Sequence, residues 1–435
     1  MRIGVYLGQW RLTDAGGMGV YLANLLQAVS RQLLRPGAPP HKLCLVVDQT
    51  EDMIERVAAL GTALPIVPLR RPGIEQLTPQ ERRRAIRIRS QSYSNPFAAE
   101  RCRADRWSRA AYAYLWGLDE AVEQADIDLI YFTIPPYLKR PRIPYLLTIH
   151  DLKHVHRPQD HDPADHARRR RWGRVAQAAR LVVSSFAHIR EDVVAHFKVA
   201  RERTAVLPIA VPDEIRLWAR EAPRGRVAPP RRFPRPPYAL LPAQFWPHKN
   251  HEGVIRALGL LRRERELDIS LVCTGQVRGL AGADAARIRR IAVSEGVSDL
   301  VRFMGHVNRD ELRQLYEAAR LVIVPTLYDP GSFPAMEALA LGKPLAAARV
   351  TSIPETVGDA GVLFDPSQPR DIADALQPLW LDADLRSRLA ERGPARIGAR
   401  TWDDVATEWL TLCEECMHPP RVTIVDDVAA HGAMP

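Results

Sequence analysis

The stretch YDPGSFPAMEALALGKP, Tyr328 to Pro344, joins a turn, a helix start and two acidic side chains within one short span. Ahead of it, Val322 to Pro325 (VIVP) closes an apolar run of strand length. Asp329-Pro330-Gly331-Ser332 follows as a turn, because proline presets φ and glycine tolerates φ > 0. The pattern then predicts a helix. Pro334 falls in a first turn, where its missing N–H costs nothing. Met336, Leu339 and Ala340 recur at helical spacing, and Gly342-Lys343-Pro344 ends the run. The backbone N–H groups of Ser332 and Phe333 are left near the positive end of the helix dipole, which suits a phosphate or the polar face of a sugar. Asp329 and Glu337 flank that end. In isolation such a pair reads as a turn cap and a solvated helix residue.

Outward from this stretch, strand and helix patterns alternate in both halves of the chain. Arg2 to Gly8, Leu43 to Val47, Leu129 to Thr133, Tyr145 to Ile149, Leu181 to Ser184 and Ala205 to Leu207 read as strands of the first half. A helix with Leu22, Leu25, Leu26 and Val29 on one face follows the first of them. Residues 219–237, which contain EAPRGRVAPPRRFPRPP, are too rich in Pro and Arg for a helix interior or central strand and read as a linker. The alternation restarts with strands Tyr238 to Leu241, Ile269 to Thr274, Val301 to Met304 and Leu321 to Val324, and with helices from Glu252, Ala283 and Arg309. This predicts an α/β architecture of two doubly wound parallel sheets, residues 1–218 and 238–395, facing a cleft. Ligand loops are expected at the strand C-termini. Residues 396–417 read as a closing helix and 418–435 as a loose tail. The Arg-rich span from about 72 to 120 reads as an insertion in the first domain.

At 435 residues with 46% hydrophobic residues, the chain can bury two sizeable cores. The sequence shows no signal peptide and no apolar run of membrane-spanning length, so the cytoplasm is the expected compartment. Five scattered cysteines argue against a disulfide framework, and Cys413 and Cys416 read as residues of a helix face. The net charge of +10 comes from arginine clusters: Arg82 to Arg84, Arg101 to Arg109, and Arg168 to Arg174. Such blocks are usually solvated faces. No nucleic-acid module accompanies them, so nucleic acid is not an expected partner. Trp107, Tyr112, Tyr114 and Trp116 interleave with the second cluster, which suggests an anionic membrane surface as a partner.

Three further motifs carry chemistry. Gly16-Gly17-Met18-Gly19 reads as a glycine-rich loop whose backbone can approach a phosphate or acceptor, but its spacing is not GxGxxG. His150-Asp151 falls at the C-terminal end of a strand. His154 and His156 lie close by without fitting a standard zinc pattern, so no metal is expected. Lys249, in FWPHKN, is a point charge able to neutralise a diphosphate.

Together these segments resemble the retaining glycosyltransferases of family 4, which have the GT-B fold of two Rossmann-like domains. The resemblance extends in order through SSFAHIREDVV, VRFMGHVNRDEL and SIPETVGDAGVLFDP and covers nearly the whole chain. It implies an enzyme that moves a hexose-type sugar, mannose-like or rhamnose-like, from a nucleotide-diphosphate donor to an acceptor hydroxyl with retention and without a metal or other cofactor. It also implies a glycan or lipid-linked glycan acceptor in surface-polysaccharide or lipopolysaccharide synthesis. The catalytic set would be His150, Asp151, Lys249, Asp329 and Glu337. Donor contacts would come from Gly17, Gln244, Lys249, Gly275, Asp329, Gly331, Ser332, Phe333 and Glu337, and acceptor-side contacts from Gly16, Gly17, Met18 and Gly19. The closing helix would return to the first domain. Two positions depart from the family: Gln244 stands where an Arg is usual, and Asp329 where a Glu is usual. They keep two alternatives open, a catalytically weakened nucleotide-sugar-binding scaffold and a GT-B nucleotide-sugar epimerase. A peripheral place on the inner face of the plasma membrane fits the basic clusters.

Overall fold

The computed structural model describes residues 1–8, 16–48, 64–69, 118–136, 142–161, 166, 169–221, 235–275 and 280–418. The expectations for the Arg-rich insertion up to residue 117, for most of the linker and for the tail beyond 418 fall outside these described residues.

The first unit runs β1 (Arg2–Gly8), α1 (Gly16–Leu33), β2 (Lys42–Asp48), β3 (Ile66–Leu69), α2 (Leu118–Glu123), β4 (Leu129–Phe132), β5 (Tyr145–Thr148), α3 (Lys153–His156), α4 (Trp172–Ala178), β6 (Leu181–Ser184), α5 (Ala187–Phe197), β7 (Thr204–Val206) and α6 (Asp213–Arg220). The second runs β8 (Ala239–Pro242), α7 (His251–Arg265), β9 (Leu271–Thr274), α8 (Leu280–Ser294), β10 (Val301–Gly305), α9 (Arg309–Ala318), β11 (Leu321–Val324), α10 (Phe333–Ala340), β12 (Leu345–Ala348), α11 (Ile353–Val357), β13 (Val362–Phe364), α12 (Pro369–Leu381) and α13 (Ala383–Ile397). A last helix, α14 (Trp402–Met417), follows.

The sheet orders are β3-β2-β1-β4-β5-β6-β7 and β10-β9-β8-β11-β12-β13, and every strand pair is parallel. Strands buried on both faces need continuous apolar runs, and β4 (LIYF), β5 (YLLT), β11 (LVIV) and β12 (LAAA) are buried at every residue. The strand order reverses between β1 and β4 in the first sheet and between β8 and β11 in the second. In open α/β sheets such switch points, beyond the carboxyl ends of the strands, are where ligand crevices form. The segment after β8 delivers Lys249, and the segment after β11 delivers Asp329.

The called strands are present with ends shifted by a residue or two, whereas β3, β12 and β13 were not called. In β12 the small residues of LAAA lack the β-branched or aromatic side chains that signal a strand. One expectation is corrected: Gly16 to Gly19 form the first turn of α1 instead of a loop. Glycine is costly inside a helix, which is why a loop was expected. At the N-terminal turn, however, the backbone N–H groups have no intrahelical acceptors, and glycine leaves them uncovered.

Each unit has its own core. Helix α14 follows the second unit in sequence but lies in the first core, through Trp402, Val405, Ala406, Trp409, Leu410, Cys413 and Cys416. The Trp409 ring meets Tyr131 edge to face at 5.2 Å, and Trp402 meets Tyr21 at 5.7 Å. None of the described helices is long and apolar enough to cross a membrane. The Trp409→Ala chain should lose about 3–5 kcal/mol of stability, because the cavity would open inside the first core. Urea unfolding of the full chain measures this, and a loss below about 1 kcal/mol would mean that α14 is not an anchor.

Candidate active site

Helix α10 begins where the turn after β11 ends. Ser332 is its N-cap, with its hydroxyl accepting from Ala335 N, and Pro334 occupies the first turn. Asp329 Oδ1 accepts from Gly331 N at 3.4 Å, which fixes the turn. Thr351 Oγ1 also donates to the Asp329 carbonyl. Lys249 Nζ reaches Asp329 Oδ2 at 2.6 Å from the segment after the neighbouring strand β8. Two residues 80 positions apart in sequence therefore meet at the second sheet's switch point. Their side chains are only 20% and 9% exposed, so each is the other's main compensation for lost water.

Glu337 faces elsewhere. Its carboxylate, on a residue only 7% exposed, accepts from the Tyr316 hydroxyl of α9 at 2.8 Å. Burial raises its pKa, against the Tyr316 hydrogen bond and the field of Arg309, and burial likewise holds the Tyr316 hydroxyl protonated. Gln244 and Gly275 adjoin each other. Gly275 has φ +137°, and a Cβ there would lie 2.4 Å from the Ala243 carbonyl oxygen and 3.0 Å from Gln244 Cα, so only glycine fits.

The first unit closes over this end of α10. A Cβ on Gly331 would lie 2.2 Å from the Phe186 ring, and one on Gly17 would lie 3.5 Å from the Phe333 ring. Tyr328 Oη accepts from Leu152 N at 3.0 Å, and Lys153 Nζ donates to His248 Nδ1 at 2.9 Å. Glu355 accepts from Ala187 N and His188 N at the N-terminus of α5, a carboxylate of one unit seated on the positive helix end of the other. Arg309 pairs with Glu214.

His150 projects at this junction, edge-on to Tyr21 at 4.9 Å. Its Nε2 is shut from bulk water and has no hydrogen-bond partner among the described residues. Burial lowers its pKa to about 4, so the ring is neutral at pH 7 and suited to hydrogen bonding a ligand hydroxyl rather than to donating a proton as an acid. Asp151 accepts from Lys153 N at 2.9 Å and from Arg169 Nη1 at 3.3 Å, and it holds the loop. Arg169, a member of the third basic cluster, also lies over the Trp172 ring at 4.5 Å.

The structure thus brings Lys249, Asp329, Gly331, Ser332 and Phe333 together, with Gly17 opposite. It places Glu337 beside Tyr316, and Gln244 beside Gly275. Sequence reasoning missed Tyr316, His248, Lys153 and Glu355. SIPETV was quoted without a role for its glutamate, and nothing local marks Tyr316 as that carboxylate's partner.

Burial lowers the pKa of three more imidazoles, His154 to about 4 and His248 and His251 to about 3. Near pH 6.5 the unfolded chain takes up protons that these folded groups and His150 refuse. Their contribution is intact above 6.5 and is lost as pH falls toward 4, at about 1.4 kcal/mol per pH unit for each group. Urea midpoints should fall steeply across that window and less steeply in His251→Phe. Equal slopes would show that His251 accepts its proton in the fold.

Residues 228–396 match the sequence model of the family described as "Glycosyl transferases group 1". The chain is 31% identical over 171 residues to the O-antigen chain mannosyltransferase B of Escherichia coli, which is 39% of this chain and 44% of the relative. It is 34% identical over 170 residues to the D-inositol 3-phosphate glycosyltransferase of Corynebacterium jeikeium, which is 38% and 41% of the two chains. These matches therefore span less than half of either relative. The structure superposes on Anabaena HepE in complex with UDP and glucose with a TM-score of 0.61 at 15% identity, covering 95% of this chain and 100% of the other. The fold of the whole is GT-B, and residues 228–396 are similar to the glycosyl transferases group 1 family.

Proposed function

We propose that the protein is a retaining glycosyltransferase of family 4, moving a hexose-type sugar, mannose-like or rhamnose-like, from a nucleotide-diphosphate donor to a hydroxyl of a glycan or lipid-linked glycan. The observation that carries this reading is the Lys249–Asp329 pair at the N-terminus of α10, a helix whose first residue, Phe333, meets Gly17 of the first unit. Lys249 turns from Asp329 to the donor diphosphate, and the first-turn N–H groups of α10 share the charge. Asp329, freed of its cation, accepts hydroxyls of the donor sugar, while neutral His150 hydrogen bonds it near the reacting carbon. Glu337 takes the ribose hydroxyls.

The bond from the anomeric carbon to the β-phosphate oxygen breaks, and a bond to the acceptor oxygen forms on the same face. The acceptor's proton passes to the leaving phosphate oxygen. The products are a glycoside and a nucleoside diphosphate, and no metal enters the step. The mannosyltransferase relative and the UDP-bound structural neighbour support a nucleotide-sugar donor. A cytoplasmic enzyme working at the inner face of the plasma membrane, in surface-polysaccharide synthesis, fits this acceptor class.

Glu337→Gln separates binding from stability. Because burial raises the Glu337 pKa above its ordinary 4.5, the folded protein holds that proton more tightly than the unfolded chain does, and the cost of ionising it builds as pH rises above 4.5. Glutamine keeps an acceptor for Tyr316 and removes the desolvated charge. The variant should melt higher than the parent at pH 7 and yet lose the thermal stabilisation that a nucleotide sugar gives the parent. The measurement is a metal-free thermal shift against nucleoside diphosphates and their sugars. If no nucleotide stabilises the parent, the donor reading fails and the scaffold alternative takes its place. Conversion of a nucleotide sugar without acceptor would favour the epimerase.

A further inference from the structure

Where α3 meets α5, three imidazoles surround one carboxylate. His188, Asp192 and His196 are spaced i, i+4 and i+8 on α5 and so lie along one helix face, and His156 reaches them from the end of α3. Asp192 Oδ2 lies 2.6 Å from His156 Nε2 and 3.7 Å from His188 Nε2, and Oδ1 lies 4.0 Å from His196 Nε2. The ligand atoms of His156, Asp192 and His196 all fall within 4.8 Å of one another. A tetrahedral ion bonded at about 2.0–2.1 Å holds its ligand atoms about 3.4 Å apart, so modest side-chain rotations complete the shell.

Two further observations point to a ligand. The Nε2 of His188 is shut from solvent and makes no hydrogen bond among the described residues, although it lies 3.7 Å from Asp192 Oδ2. The Asp192 side chain is 11% exposed while the three rings are 34–40% exposed, so the carboxylate forms the floor of a site open to an arriving ion. One carboxylate cannot satisfy three imidazole nitrogens, whereas a divalent ion takes a lone pair from His156 and His196 and its bound water can hydrogen bond the third.

We propose that His156, Asp192 and His196, with solvent completing the shell, bind a divalent transition-metal ion of the zinc, cobalt or nickel kind, since two imidazoles and a carboxylate suit these ions better than magnesium or calcium. The ion positions a loop. The His156 ring stacks on Tyr328 at 5.8 Å, and Tyr328 both accepts from Leu152 N and precedes Asp329. Fixing His156 to α5 therefore holds the segment after His150 and Asp151 against the second unit's turn. No step of the proposed transfer passes through this ion, and the inference stands without that proposal.

The test uses the untagged full-length chain, freed of metal with chelator and titrated with Co²⁺ alone. One equivalent should bind and give visible bands of a tetrahedral or five-coordinate site. Zn²⁺ should raise the melting temperature, and Mg²⁺ should not. His196→Ala and His156→Ala, both at partly exposed positions, should each lose the bands and the Zn²⁺ shift while keeping the parent's circular dichroism. Absence of stoichiometric uptake would overturn the proposal. So would bands and shifts of parent size in both variants, since the ion would then sit on other histidines of the chain.

Discussion

Helix α10 belongs to two cores at once. Ala335, Ala338 and Leu339 are buried in the second core, whereas Phe333 and Met336, on the same helix, are buried in the first. A helix carrying apolar groups on two sides needs a partner on each, and this one has β11 and β12 of its own sheet and the first unit opposite. The N-terminus of the helix, with its free N–H groups, is therefore held where the two sheets' switch points face each other. Gly331 makes this possible, since any Cβ there would run into Phe186.

Beside the buried Phe333 and Met336, the junction carries polar links: Tyr328 to Leu152, Lys153 to His248, and Glu355 to the end of α5. Each contributes about 1 kcal/mol net. Helix α14 fastens the second unit to the first core with two buried tryptophans, each worth several times as much.

Most of the architecture was legible because parallel strands buried on both faces leave continuous apolar runs, and because helix stops and starts carry Pro and Gly. The turn and helix from Asp329 to Gly342 could be read almost residue by residue. Less legible was anything that depends on two distant segments meeting. Lys249 could be read as a cation and Asp329 as an acid, but their pairing follows from the adjacency of β8 and β11, which no local pattern states. The histidines of α5 left a trace in the spacing His188, Asp192, His196, yet the fourth member, His156, lies on another element. Gly16 to Gly19 misled for the opposite reason. The local cost of glycine in a helix argued for a loop, whereas the chain forms a helical turn there with Gly17 in van der Waals contact with Phe333.

The two carboxylates of the central stretch, eight positions apart, are managed in opposite ways. Asp329 is compensated by a full cation, and its charge is kept at the expense of occupying Lys249. Glu337 has only a phenol, and burial pushes it toward the neutral form. A sequence selected for stability alone would replace Glu337 with an uncharged residue of similar shape and leave the Lys249–Asp329 pair sealed. Retaining a poorly compensated acid on the helix whose N-terminus meets the first unit, near an imidazole nitrogen without a partner among the described residues, is a cost that packing alone does not explain.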